Sequence, residues 1–191
     1  MCGRYLVCMT GASGAIYGIR TLRALAELGQ EVHALASVWG ERVVREETGR
    51  SFGDWTRELG IPPERRYDPG DLSAAPASGS FALEGTIIAP CSMASAGAIA
   101  GGISLNLIHR AALVSLKEGR PLVLVPRETP LSLVDLRNLT ALAEAGAVVM
   151  PASPAFYQGP ESIGDLADFM AGKILDRLHI EHQLFKRWGA L

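Results

Sequence analysis

Five short strand-like runs, at positions 4–10, 31–36, 85–89, 121–126 and 147–151, alternate with stretches of helical character. No other feature of this sequence restricts its fold as strongly. Most of these runs are almost uninterruptedly apolar. A strand that is apolar in both of its alternating directions needs cover on both faces, and helices between successive strands supply it. Helices are expected from the glycine turn at 11–14 to about residue 28, over 38–48 and 52–59, from about residue 92, over 107–118, and over 132–144. The fold class is therefore α/β, with a mainly parallel sheet flanked by helices. A chain of 191 residues is long enough for one substantial core and short for two, so a single domain over 1–191 is expected.

The charge pattern narrows the choice of partners. A formal charge of −2 gives no long-range attraction to nucleic acid or to an anionic membrane, so any phosphate must be held locally. Residues 86–108 carry no charge and are long enough to cross a bilayer. Their many Gly, Ala and Ser residues and Pro90 favour a buried strand followed by a small-residue helix. Cys2, Cys8 and Cys91 form no CxxC or zinc spacing, and no distinct targeting segment precedes the first strand; a reducing cytoplasm is expected. The four histidines are dispersed, which assigns them to core, cap or surface rather than to metal or chemistry.

In parallel α/β sheets, ligands bind beyond the carboxyl ends of the strands. Residues 10–14, 37, 90–95, 127–130 and 151–157 fall there. TGASG at 10–14 is neither GxGxxG nor GxxxxGK[ST]; it suits a phosphate cradle and a plain turn with a helix cap. Ser92 fits a cofactor holder and an N-cap alike. Arg127 and Glu128 could form a salt bridge at a strand exit or face a ligand. Tyr157 could anchor its loop or offer its phenol to a phosphate. Lys117 and Lys173 have ordinary surface-helix readings, and Glu47 belongs to a charged helix face.

Six segments carry a wider resemblance: TGASGAIYG at 10–18, ASGSF at 77–81, APCSM at 89–93, LKEGRPLVLVPRETPL at 116–131, GAVVMPASPAFYQGPES at 146–162 and RWG at 187–189. In order and extent they resemble the UbiX/Pad1 flavin prenyltransferase family over nearly the whole chain. The resemblance implies a flavodoxin-like Rossmann domain and a homo-oligomer, commonly a dodecamer. It implies that FMN, without a metal, accepts a dimethylallyl group from dimethylallyl monophosphate, the product serving a separate UbiD-like decarboxylase. It places FMN contacts at Gly11, Ala12, Ser13, Ser37, Ser92, Met93, Ala94, Ser95 and Arg127. The donor falls near Tyr157, Lys173 and Lys117, and catalytic positions at Glu128, Glu47, Lys117, Ser13, Tyr157 and Trp188. Two departures stand out: Ala94 replaces a long cationic side chain, and Lys173 stands where relatives often have Arg. An FMN-dependent decarboxylase and a non-enzymatic flavin carrier are the rival readings. Against the first, the chain has PASP at 151–154 and lacks a PASANT-type segment.

Overall fold

The computed structural model describes residues 2–187 and Gly189. Trp188, one of the expected site residues, lies outside the described residues. Six strands form one sheet: β1 (Arg4–Met9), β2 (Glu31–Ala36), β3 (Arg66–Tyr67), β4 (Gly85–Cys91), β5 (Leu122–Pro126) and β6 (Val148–Val149). Their spatial order is β3-β2-β1-β4-β5-β6, and every pairing is parallel. The chain leaves β1 in one direction across the sheet and returns to its other side at β4, so the crevice between these two carboxyl ends is the topological switch point of a Rossmann-type fold.

Among the described residues seven α-helices cover the sheet: α1 (Ala15–Glu27), α2 (Val38–Thr48), α3 (Phe52–Glu58), α4 (Met93–Ala100), α5 (Leu107–Lys117), α6 (Leu133–Glu144) and α7 (Ile163–Arg177). Alternating strand residues supply the two cores. Val7, Met9, Ile87 and Val123 face Ile19 and Leu22 of α1 and Ile174 of α7. Leu6, Cys8, Ile88 and Leu124 face Ile99 of α4, Ile108 of α5 and Leu142 of α6. This two-sided burial explains why the strands lack an alternating polar pattern.

Two elements went unread in the sequence. β3 lies inside residues 62–80, which read as turns; it holds only two residues, paired with Ala34 and Leu35, and shows no periodicity. α7 extends the surface-helix reading of Lys173 to fifteen residues. Its start is fixed by a capping box in which Ser162 accepts from the Asp165 amide while the Asp165 carboxylate accepts from the Ser162 amide. The uncharged segment 86–108 runs through β4, α4 and the start of α5. Among the described residues no helix is long and apolar enough to cross a membrane.

Candidate active site at the carboxyl edge of the sheet

Thr10 ties the two sides of the switch point together. Its amide and its hydroxyl both donate to the Pro90 carbonyl, at 3.1 and 2.9 Å, and its Oγ1 accepts from the Ser92 amide at 2.7 Å. The loop after β1 and the loop after β4 are thus one hydrogen-bonded unit. Thr10 belongs to the expected 10–14 loop but not to its named contacts; the signal for its role is a polar residue that closes an apolar strand directly before a glycine.

Three neighbouring strands, β2, β1 and β4, each hand over here to a helix. Ser37 caps α2 by accepting from the Gly40 amide at 3.0 Å, and Ser92 caps α4 by accepting from the Ser95 amide at 3.3 Å. The N-terminus of α1 has no side-chain cap of its own, because Gly14 occupies the capping position with φ 103°, a left-handed conformation that glycine tolerates. Glu47, from the last turn of α2, fills that role: its carboxylate accepts from the Gly14 amide at 3.0 Å and from the Ala15 amide at 2.8 Å. A carboxylate seated on helix-end amides marks the spot as one that favours negative charge. Glu47→Ala is therefore expected to lower stability by about 1 kcal/mol, with Glu47→Gln retaining part of it, as measured by urea unfolding.

Arg127 reaches the same loop from the end of β5. Its Nε donates to the Ser13 carbonyl at 3.0 Å, and its amide donates to the Cys91 carbonyl at 3.3 Å. Tyr17 lies close by. Burial raises its phenol above the usual range, the Glu47 charge adds to this, and the Arg127 charge opposes it. Glu128, next in the chain, is exposed, and its carboxylate accepts from the Thr129 amide at 3.2 Å. Gly11 and Ser13 are exposed, whereas Ala12 and Met93 are buried. Ala94 is exposed, so a short side chain leaves the first turn of α4 open.

Ser95 has a buried support that the sequence did not single out. His109 Nε2 lies 3.1 Å from Ser95 Oγ. Since Nδ1 accepts from the Leu105 amide at 3.4 Å, Nε2 carries the proton and donates to the hydroxyl. Burial holds the imidazole below its ordinary pKa, which keeps it neutral. The Asn106 side chain caps α5 on the His109 amide, and that Asn-x-x-His spacing is the only local trace of the arrangement. Cys91 is buried as well, and its thiol is pushed up to about 12 by desolvation, which makes it a packing group rather than a nucleophile.

The structure therefore brings together Gly11, Ala12, Ser13, Ser37, Glu47, Ser92, Met93, Ala94, Ser95, Arg127 and Glu128. It does not bring Lys117 and Lys173 to them. Lys117 ends α5, the helix that carries the chain back to the amino edge of the sheet, and it pairs with Glu118 at 3.2 Å. β5 alone separates that edge from Arg127 by roughly 17 Å. Lys173 sits eleven residues beyond the α7 cap and pairs with Asp176 at 3.4 Å. Tyr157 lies in the loop between β6 and α7, its ring 6.3 Å from that of Phe169 in an edge-to-face contact. Parallel strands joined by helices put the α5 terminus at the pole opposite Arg127.

The donors at the carboxyl edge, helix-end amides, hydroxyls and one guanidinium, match the chemistry of a phosphate monoester. A cleft of about 540 Å³ next to Ser37 is lined by Ala36, Val38, Glu41, Phe52, Tyr67 and Asp68, and by none of these donors. The flavoprotein family (Flavoprotein) matches residues 3–175. The flavin prenyltransferase UbiX of Halalkalibacterium halodurans is 46% identical, covering 98% of this chain and 94% of its own. The mitochondrial flavin prenyltransferase PAD1 of Saccharomyces cerevisiae is 44% identical over 98% of this chain and 76% of its own. The crystal structure of AnUbiX (PadA1) in complex with FMN and dimethylallyl pyrophosphate superposes with a TM-score of 0.94 at 41% identity over 100% of both chains. A dodecameric FMN-dependent UbiX-like decarboxylase from Escherichia coli O157:H7 superposes with a TM-score of 0.91 at 40% identity, over 97% of this chain and 98% of that one.

Proposed function

The chain belongs to the flavin prenyltransferases within the flavoprotein family, and from that premise we propose that it transfers a dimethylallyl group from dimethylallyl monophosphate to reduced FMN. The observation that carries this reading is the convergence of three helix N-termini and Arg127 on the loop at Ser13. The FMN phosphate is held by the amides of Gly11 and Ser13, by the Ser13, Ser37, Ser92 and Ser95 hydroxyls and by Arg127, with Met93 and Ala94 against the rest of the cofactor. The reduced flavin would supply an electron-rich N5, which bonds to the allylic carbon and gives up its proton as the carbon–oxygen bond to phosphate breaks, and a C6 position that closes the ring onto the alkene as the alkene takes up a proton and C6 gives one up, a net gain of one C5H8 unit.

The protein's own contribution is positioning and charge. Arg127, Lys117 and Lys173 neutralise the departing phosphate, Ser13 and Tyr157 orient it, and Trp188 walls the prenyl chain. Glu128, with Glu47, takes part in moving the proton. Because Lys117 and Lys173 lie far from Ser13 along one chain, the complete site belongs to a homo-oligomer such as a dodecamer, in which neighbouring copies contribute them. The whole chain, 1–191, acts as one prenyltransferase-like domain in a reducing cytoplasm, a setting that fits its three free cysteines. Its product is a prenylated flavin for a separate UbiD-like decarboxylase.

The decisive experiment incubates the protein anaerobically with reduced FMN and either dimethylallyl monophosphate or the diphosphate, and weighs the extracted flavin. A protein-dependent gain of one C5H8 unit is expected with the monophosphate. Unchanged flavin, with binding and reduction verified, would sink the proposal in favour of the carrier reading. Carbon dioxide release from an added carboxylic acid by the unprenylated protein would favour the decarboxylase. A faster reaction with the diphosphate would reassign the donor.

A further inference from the structure

The last described stretch of chain, residues 180–187, folds back on α7, and the contacts that hold it there converge on a single carboxylate. Asp176, with its side chain 22% exposed, accepts from Arg187 Nη2 at 2.8 Å and from His182 Nε2 at 3.2 Å, and it pairs with Lys173 Nζ at 3.4 Å. The His182 tautomer is set by its other nitrogen, because Nδ1 accepts from the Leu184 amide at 3.2 Å and leaves the proton on Nε2. A lone surface ion pair contributes little, but three cationic or donor groups sharing one acceptor form a network whose members order one another.

A second observation points the same way. Gly172 leaves the surface of α7 bare where the tail crosses it: a Cβ there would stand 2.5 Å from Phe185 Cε1 and 2.7 Å from His182 Cε1. The Phe185 ring uses that space to pack 4.9 Å from the ring of Phe169, which in turn meets the edge of Tyr157. Gln158, adjacent to Tyr157, donates to the Lys186 carbonyl at 2.7 Å. The tail therefore joins two places far apart in sequence, the Tyr157 loop and the Lys173 turn of α7.

We propose that Asp176, with Gly172, is a positioning residue for the prenyl donor: it latches residues 182–187 onto α7 and through them fixes where Tyr157 and Lys173 stand. The inference rests on the donor role given to those two residues above. Asp176 touches no substrate. It holds the Lys173 ammonium at Oδ2, His182 at Oδ1 and the Arg187 guanidinium across both oxygens, so its loss frees all three at once. Lysine, with one point charge on a flexible stem, depends on such a neighbour more than an arginine fork does.

The test is made on the full-length protein with Asp176→Ala, Asp176→Asn and Gly172→Ala. Trypsin cleavage after Lys186 and Arg187 is expected to quicken by about tenfold in Asp176→Ala, since cleavage follows local opening. The KM for dimethylallyl monophosphate is expected to rise about tenfold, with kcat and FMN affinity within about twofold of wild type. Asp176→Asn keeps one acceptor oxygen and recovers part of both effects; Gly172→Ala, which displaces Phe185 instead of a charge, moves both in the same direction. Unchanged cleavage would overturn the latch. Faster cleavage with an unchanged donor KM would overturn the positioning role, as would an equal loss of FMN affinity and thermal stability. A wild-type protein that makes no prenylated flavin overturns the functional reading and the positioning role with it, while the trypsin comparison still decides the latch.

Discussion

Arg127→Ala is expected to lower prenylated-flavin formation by at least about a hundredfold in kcat/KM while leaving the melting temperature close to wild type. The guanidinium is partly exposed at the end of β5, outside both cores, and its Nε reaches across to the Ser13 carbonyl. Removing it costs the fold one hydrogen bond at the surface. It costs the site a fixed positive charge beside the loop where phosphate is to be held, in a place where helix-end amides already point outward. Arg127→Lys keeps the charge and loses the fork, so it should recover only part of the rate. Wild-type turnover in Arg127→Ala would sink the assignment of Arg127, and an equal collapse of rate and melting temperature would show it to be structural. Mass analysis of the flavin and a thermal melt read both quantities.

Gly18→Val should damage the fold itself, by about 3 kcal/mol in urea unfolding, and lose FMN binding as a result. α1 lies so close to the sheet that a Cβ at position 18 would run into the Ala89 carbonyl and stand 2.9 Å from Met9 Cε. The Ala89 carbonyl belongs to the backbone of β4 and cannot swing aside as a side chain can. α1 must therefore lift, and it begins at the Ser13–Gly14 turn, so the phosphate loop moves with it. Native stability in Gly18→Val, with wild-type flavin affinity, would show that α1 is not held in this close seat.

The comparison of these two positions shows what was legible in the sequence. Arg127 stands out locally, as a charged residue directly after five apolar ones, and the resemblance to flavin prenyltransferases picked out its role. Gly18 carries no such mark: glycine within a helical stretch reads only as a weak helix former, and the need for it arises from the approach of β4, seventy residues later. Ser92 was recognisable as an N-cap from its place before a helix, and it caps; Ser37, read only as a strand-end residue and flavin contact, caps α2 in the same way. Thr10 was read only as part of the 10–14 loop and His109 only as a core, cap or surface residue, because their partners, Pro90 and Ser95, lie in other elements. α7 was foreshadowed only by the surface-helix reading of Lys173, although Ser162 and Asp165 have capping-box spacing; β3 is too short for any period to register.

The sequence by itself determined the α/β class, the parallel sheet, the order of the principal strands and the chemistry offered at the end of each. Those properties depend on neighbouring residues: burial on both faces demands runs of apolar side chains, and turns and caps demand Gly, Ser and Asn at fixed offsets. Only the tertiary structure decided that Glu47 caps α1 across 33 residues, that Arg127 reaches Ser13 across 114, and that Lys117 ends at the opposite pole. Such contacts follow from which strand pairs with which and from the direction in which each helix carries the chain, quantities to which no local propensity is sensitive.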